Sequence, residues 1–414
     1  MIIDEAPSRD RLAVAVISSR IGKTPEHIEN SFVFDEILRL SEKGIDIHVI
    51  RGKKEGDSVY DGLNFHGLNT RYNFRVLKSV FRCIGQYSPS FLLNRPKIVL
   101  GDNMYASSVV NVINKHDLDL IHAHFAYREG LIGLLAKKQT KKPLIVTVHG
   151  YDILVNSELN YGIRLDKKFN TLVKKVLDNS DAVIAASKAT FDESSKVIGN
   201  DEKVHLIHHG IDIQQFRPDI DGSEIREKLG IGSETRLVFT LGAYREDKGF
   251  DDVIKAAALV LKQIKDVIFV LGGDGPLRDY YEQLALDLGI RDKIIFTGWI
   301  SPKRRARYYA MSDFIIVPSL QEAFGLVVTE AMGCGKVVIG TNVGGIPDQI
   351  KNEINGFLIP PRNPRELANK ILRLAENPKE INEMGKNARK VVEKKFDVKI
   401  KIEKIISLYN QLIK

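Results

Sequence analysis

The chain has 414 residues, 43% of them hydrophobic and 28% charged, which excludes a disordered or fibrous protein and allows two or three domains. Its 61 basic and 53 acidic residues leave a formal charge of +8, which favours anionic partners without choosing among phosphates, anionic lipid and nucleic acid. The two cysteines, Cys83 and Cys334, stand in no metal-ligand spacing, the start MIIDEAPSRDR lacks a signal-peptide core, and no apolar run is long enough to span a membrane, so a cytoplasmic protein is expected.

Short apolar runs predict strands at residues 11–18, 44–50, 119–125, 143–150, 181–187 and 204–210 in the first half. In the second half they fall at 236–242, 266–273, 293–299, 313–319 and 336–345. These runs are apolar on both alternations, the mark of parallel strands covered by helices on each face. Helical patterns such as FVFDEILRLSEKG and FDDVIKAAALVLKQ lie between them. Strand–helix alternation occurs twice over, so the fold class is α/β, with two doubly wound parallel-sheet domains of Rossmann-like type. FRPDIDGSE, residues 216–224, breaks both periodicities and marks the boundary. Open α/β sheets bind ligands beyond the carboxyl ends of their strands, in a cleft when two domains face each other. A functional residue should therefore follow a strand rather than precede it.

After the strand at 236–242, AYREDKG places Arg245 and Lys248 in the loop before a helix that starts near Phe250. A lysine there opposes the helix dipole, and an anion held by both cations and the helix amides would remove the conflict. GGDGP follows the next strand, and Gly273 suits either a plain turn or close approach of a ligand. Trp299 and Ile300 follow the third, where a flat base could lie, and core packing explains Trp299 equally well.

The fourth strand leads into QEAFGLVVTE, with Glu322 in the loop, Phe324, Gly325 and Leu326 read as the first helical turn, and Glu330 further along. Free amides at that turn can hold a phosphate or a sugar hydroxyl. From Gly325 to Glu330 the helix rises roughly 7–8 Å. The paired carboxylates of a retaining hydrolase stand about 5–5.5 Å apart on separate elements. The two glutamates instead look placed to hold opposite ends of one extended ligand. NVGGIPD adds a flexible backbone at Gly344 and Gly345, and His149 closes a first-half strand toward the same expected cleft.

Other patterns carry less. Asp117 and Asp119 form a D-x-D that precedes its strand. His122, His124, His205, His208 and His209 have no acidic or cysteine partner at metal spacing, so no metal site is expected. P-loop, G-x-S-x-G and H-E-x-x-H motifs do not occur.

Taken in order, DLIHAHFAYREG, TVHGYD, HHGIDIQQFRP, LGAYREDKGF, LGGDGP and QEAFGLVVTEAMGCGKVVIGTNVGGIPD, with its E-x7-E spacing, resemble the retaining glycosyltransferases of family 4 over almost the whole chain. That resemblance implies the GT-B architecture: an acceptor-binding domain at 1–215, a nucleotide-sugar domain at 216–395, and a terminal helix at 396–414 crossing back onto the first. It implies that Glu330 binds the ribose, and that Glu322 with the amides of Phe324, Gly325 and Leu326 contacts sugar and phosphates. Lys248 and Arg245 would neutralise the diphosphate without a metal, Gly273 and Ile300 would line the donor site, and His149 would lie beside the donor sugar, making His149, Lys248 and Glu322 the catalytic set. No cofactor beyond the substrate itself is implied. Ala243 stands where many relatives carry arginine, Asp348 where glutamate is usual, and the first loop, SSRIGKTPEH, holds only Gly22 where paired glycines are common.

The expected reaction moves a hexose from a UDP- or GDP-linked sugar to a hydroxyl of a glycan or lipid-linked acceptor in cell-surface polysaccharide or glycolipid synthesis. The alternatives are a sugar-nucleotide epimerase or hydrolase and a non-catalytic sugar-nucleotide-binding subunit. In TRYNFRVLKSVFRCIG, Arg71, Arg75, Lys78 and Arg82 form one helical stripe and Phe74, Leu77, Phe81 and Ile84 another. Such a segment either packs on a sheet or lies on an anionic membrane at the inner face of the cell. Nucleic acid is not an expected partner, because the basic residues are scattered and no aromatic–basic platform occurs.

Overall fold

The computed structural model describes residues 11–19, 21–22, 31–53, 55–68, 87 and 95–414. The chain forms two compact units. The first takes in the chain to Ala186, Thr190–Ile207 and Ile402–Lys414, and the second Ser187–Ala189 and His208–Lys401.

In the first unit β1 (Ala13–Ile17), β2 (Asp46–Ile50), β3 (Ser58–Tyr60), β4 (Leu63–His66), β5 (Leu120–His124), β6 (Leu144–Val148), β7 (Ala182–Ala185) and β8 (Val204–Leu206) form one sheet in the order β3-β4-β2-β1-β5-β6-β7-β8. All pairings are parallel except the β3–β4 hairpin. Every residue of β1, β5, β6 and β7 is buried, as the two-sided apolar runs require. The hairpin was not among the expected elements. Asp61 and Gly62 make its two-residue turn with φ of 49° and 79°, the Asp-Gly signal of a tight hairpin.

In the second unit β9 (Arg236–Leu241), β10 (Val267–Gly272), β11 (Ile294–Gly298), β12 (Phe314–Val317), β13 (Val337–Thr341) and β14 (Gly356–Ile359) lie in the order β11-β10-β9-β12-β13-β14, all parallel. Apolar side chains pack on both faces. Phe250, Val253 and Ile254 of helix Phe250–Val260 join Leu367 and Ile371 of helix Pro364–Glu376 on one. Tyr309 of helix Pro302–Met311 joins Val328 of helix Leu326–Gly333 and Val392 of helix Pro378–Lys395 on the other.

An aspartate stands immediately before three strands and accepts an amide from the first or second residue of the neighbouring one. Asp119 accepts from Ala13 at 2.9 Å, Asp181 from Leu144 at 2.6 Å and Asp313 from Leu237 at 2.7 Å. This gives the D-x-D at 117–119 a structural purpose: Asp119 clamps the start of β1.

The units part after Ile207, ahead of the boundary read at 216–224. The reason lies in the segment between: Ile211 exchanges backbone hydrogen bonds with Phe396 and Val398, and Ile211 and Phe216 are buried in the second core. The last helix, Val398–Leu412, begins in the second unit and ends in the first, where Tyr409 donates or accepts at His122 Nδ1 over 2.6 Å. Among the described residues no helix is long and apolar enough to cross a membrane. Arg71, Arg75, Lys78 and Arg82 lie outside the described residues.

Candidate active site

The second sheet is laid down outward in two directions from β9: β9-β10-β11 one way, β12-β13-β14 the other. β9 and β12 are therefore neighbours at the switch point, where loops leaving the carboxyl ends of the strands diverge and leave a crevice. The loop after β9 carries Arg245 and Lys248; the loop after β12 carries Glu322. The two loops are joined. Lys248 Nζ donates to Glu322 Oε2 over 2.8 Å, Ser319 Oγ donates to the same oxygen over 3.2 Å, and the Leu320 amide donates to the Asp247 carbonyl over 2.8 Å. Gly249 permits this approach: its φ is 63°, and a Cβ there would fall 2.2 Å from the Pro318 carbonyl oxygen.

Both cations already have carboxylate neighbours. Arg245 grips Asp247 through two bonds, Nε to Oδ1 at 2.9 Å and a terminal nitrogen to Oδ2 at 2.8 Å, and Lys248 lies 3.7 Å from the same Asp247. The expected conflict between Lys248 and the helix dipole does not arise. Lys248 sits in a short turn ahead of Gly249, and Asp251 and Asp252 occupy the helix's first turn.

The helix after Glu322 starts later than its sequence suggested. It runs Leu326–Gly333, and Gly325 precedes it in the left-handed region at φ 94°. Phe324 is not part of a helical turn. Its ring is buried against His208, His209 and Phe396, so only its backbone can reach a ligand. The amides of Phe324, Gly325 and Leu326 donate to no group among the described residues. Gln349 fixes the turn from behind by donating to the carbonyl oxygens of Phe324 and Gly325 at 2.5 and 3.4 Å. Gly344, at φ 54°, lies against the Glu322 carbonyl, where a Cβ would come within 1.6 Å, and the Gly345 amide donates to that carbonyl at 3.3 Å.

Glu330 faces the interior. Oε2 accepts from the Tyr309 hydroxyl at 2.7 Å and Oε1 from Arg305 at 3.1 Å, and the residue is 5% exposed. Burial, the largest single influence, pulls the Arg305 pKa down, but the Glu330 charge, Tyr309 and the hydrogen bond to Glu330 together raise it and keep the guanidinium protonated. Burial and then Glu330 push the Tyr309 pKa well up, which keeps its proton available for donation. A carboxylate has about four acceptor positions, so each Glu330 oxygen retains one. Burial first, then Glu330, pushes the nearby Cys334 thiol up to about 12, which makes it inert. Neither Arg305 nor Tyr309 was singled out in the sequence.

Gly273 has φ 129°, with the Gly242 carbonyl oxygen 1.8 Å from where a Cβ would stand. Ile300 is buried among the core side chains, whereas Trp299 is half exposed, so the packing explanation fits Ile300 and fails for Trp299. Asp348 accepts from the Lys188 amide at 2.6 Å and lies 3.3 Å from His208 Nε2.

His149 belongs to the first unit and follows β6. Its amide and that of Gly150 donate to Asp152, which also accepts from the Ala126 amide at 2.7 Å. Burial raises the Asp152 pKa and these three amides pull it back. His149 Nε2 lies 3.1 Å from His124 Nδ1, and His124 Nε2 lies 3.6 Å from Glu36 Oε1 of helix Ser31–Glu42. The sequence offered no acidic neighbour for His122 and His124, yet folding brings Glu36 to both. His122 still makes a poor ligand, since both its ring nitrogens are engaged, by Tyr409 at 2.6 Å and Thr147 at 2.7 Å.

Two doubly wound sheets, with a cation–carboxylate pair and an open helix start at the switch point of the second, define an α/β protein of GT-B architecture. The chain matches the model described as glycosyl transferases group 1 over residues 221–391 and that of glycosyltransferase family 4 over residues 30–215, and it belongs to this family of glycosyltransferases. It is 28% identical to the N-acetyl-alpha-D-glucosaminyl L-malate synthase of Bacillus anthracis over 90% of each chain. Among solved structures, a sucrose-phosphate synthase from Thermosynechococcus elongatus superposes with a TM-score of 0.79 at 22% identity, covering 97% of this chain and 99% of that one. Anabaena HepE, solved in complex with UDP, gives 0.74 at 21%, covering 97% and 100%.

Proposed function

We propose that the protein is a retaining hexosyltransferase that takes its sugar from a UDP- or GDP-linked donor and passes it to a hydroxyl of a glycan or lipid-linked acceptor, without a metal. The observation that carries this reading is the 2.8 Å Lys248–Glu322 pair beside open amides at the switch point. The lysine ammonium has three donors; one is spent on Glu322, and the others can meet diphosphate oxygens. Arg245 adds a second cation, and the amides of Phe324, Gly325 and Leu326 supply oriented dipoles. Glu330 offers its spare acceptor positions to the ribose hydroxyls, with Arg305 and Tyr309 holding the carboxylate still. Gly273 lets backbone approach the donor closely, and Ile300 walls the base. Glu322 orients the transferred sugar, and the family pattern assigns His149 to that sugar as well.

As the bond from the anomeric carbon to the diphosphate breaks, negative charge builds on the leaving oxygen, where fixed cations stabilise it. The acceptor oxygen forms the new bond on the same face, and its proton passes to a leaving phosphate oxygen. Configuration is thereby kept. The Anabaena HepE complex with UDP supports a uridine nucleotide as donor base. The named relatives' products, a glucosaminyl malate and a sucrose phosphate, show the range of acceptors on this fold. A membrane-bound acceptor at the inner face of the cell membrane would suit the basic residues Arg71, Arg75, Lys78 and Arg82 of the sequence.

Thermal melting with UDP, GDP, ADP and their sugar conjugates in EDTA tests the donor site. A ligand at 100 times its Kd stabilises the folded state by about 2.7 kcal/mol. One base is expected to raise the melting temperature in EDTA. A shift that appears only when a divalent ion is restored would overturn the metal-free reading, and no shift with any nucleotide would overturn the donor site itself.

A further inference from the structure

Three histidines outside the donor site meet at one edge of the first sheet. His48 lies on β2, His66 on the adjacent β4, and His116 at the C-terminal end of helix Pro96–His116. One ring nitrogen of each lies within 4.8 Å of the others. The His48 and His66 rings are stacked with an interplanar angle of 2°, and the His116 ring tilts over both, its centroid 4.6 Å from that of His48 and 5.1 Å from that of His66. His48 and His66 are buried, and the buried His116 Nε2 has no hydrogen-bond partner among the described residues.

The facing nitrogens pose a problem of protons. His48 Nδ1 and His66 Nε2 stand 2.9 Å apart. Behind each ring is a carboxylate: Asp46 Oδ2 lies 3.4 Å from His48 Nε2, and Asp57 Oδ2 lies 3.3 Å from His66 Nδ1. Each carboxylate favours the tautomer whose N–H points at it. That choice turns two bare lone pairs toward each other, with a third imidazole nitrogen close by. A shared cation resolves the repulsion. Two nitrogens bound to one tetrahedral metal at about 2.0–2.1 Å stand about 3.3 Å apart, within a few tenths of an ångström of the observed gap. A carboxylate behind each ligand ring is also the usual outer arrangement of a histidine-bound metal. The negative end of a helix dipole at His116 favours positive charge as well.

We infer that His48, His66 and His116 bind a borderline divalent transition metal of the zinc type, with Asp46 and Asp57 orienting two of the three rings and water at the fourth position. The metal fastens β2, β4 and the end of helix Pro96–His116 together. The site is independent of the donor reading, since no residue is shared.

Co²⁺ is the probe, because its visible spectrum reports tetrahedral nitrogen coordination. The full-length chain, stripped with chelator and dialysed, is titrated with Co²⁺ and then challenged with Zn²⁺. One Co²⁺ per chain is expected, with tetrahedral bands that Zn²⁺ bleaches. Asp57→Asn should weaken binding by about 10–100-fold, and His116→Gln by more than that. His116 is only partly buried at a helix end, so His116→Gln is expected to melt like the wild type in EDTA and to lose only the rise in melting temperature that Zn²⁺ gives. Absence of tetrahedral bands would overturn the inference. So would binding that survives in both His66→Gln and His116→Gln, or binding that disappears only in His122→Gln, which would move the metal to Glu36, His122 and His124.

Discussion

Lys248→Ala is expected to lower kcat/KM for sugar transfer by about 100–1,000-fold, the loss typical of removing one preorganised group at a developing oxyanion. The local charge count explains why. Arg245 and Lys248 face Asp247 and Glu322, two cations against two carboxylates. Without Lys248 the carboxylates outnumber the cations just where a diphosphate must arrive, so binding suffers along with chemistry. Glu322 keeps one partner, Ser319, at 3.2 Å. The side chains of Lys248 and Glu322 are 21% and 17% exposed, so solvent screens part of the loss and stability should fall by no more than about 1 kcal/mol. Denaturant midpoints and steady-state kinetics on the same preparation separate the two effects. A variant that transfers sugar at the wild-type rate would remove Lys248 from the mechanism.

Glu330→Ala should behave differently, with a large loss of stability as well as of nucleotide affinity. It strands the fully buried Tyr309 hydroxyl and a partly buried Arg305 charge, together costing about 2–4 kcal/mol. Glu330→Gln keeps an acceptor for Tyr309 and a similar volume, so it should recover much of the stability. It should not recover nucleotide affinity if the charged carboxylate grips two ribose hydroxyls. Melting curves and calorimetric binding to the preferred nucleoside diphosphate decide this. If Glu330→Gln folds and binds like the wild type, the residue is only a partner for Arg305 and Tyr309.

The strands were legible because parallel strands buried on both faces must be apolar throughout, as AVAVI of β1 and FIIV of β12 are. β14 escaped because GFLI is enclosed by turn signals, Asn355 before it and Pro360 and Pro361 after it. The β3–β4 hairpin carried an Asp-Gly signal that was there to be read. Residues after strands were legible through a topological rule: Lys248 and Glu322 are 74 positions apart, yet strand order makes their loops neighbours. No such rule leads from Glu330 to Arg305 and Tyr309 on the preceding helix, or from His124 to Glu36. Those meetings depend on how helices lie over the sheet, which local sequence does not encode. The same holds for the three histidines on β2, β4 and helix Pro96–His116.

The proposed reaction moves a sugar from a nucleotide donor with retention and without a metal. Proton NMR of a reaction containing the donor whose nucleotide stabilises the fold, an acceptor alcohol or water, and EDTA reads all of it at once. Release of nucleoside diphosphate is expected, with a first-formed sugar product whose anomeric proton keeps the donor's configuration. A product of inverted configuration, or turnover that stops in EDTA and resumes with a divalent ion, would contradict it.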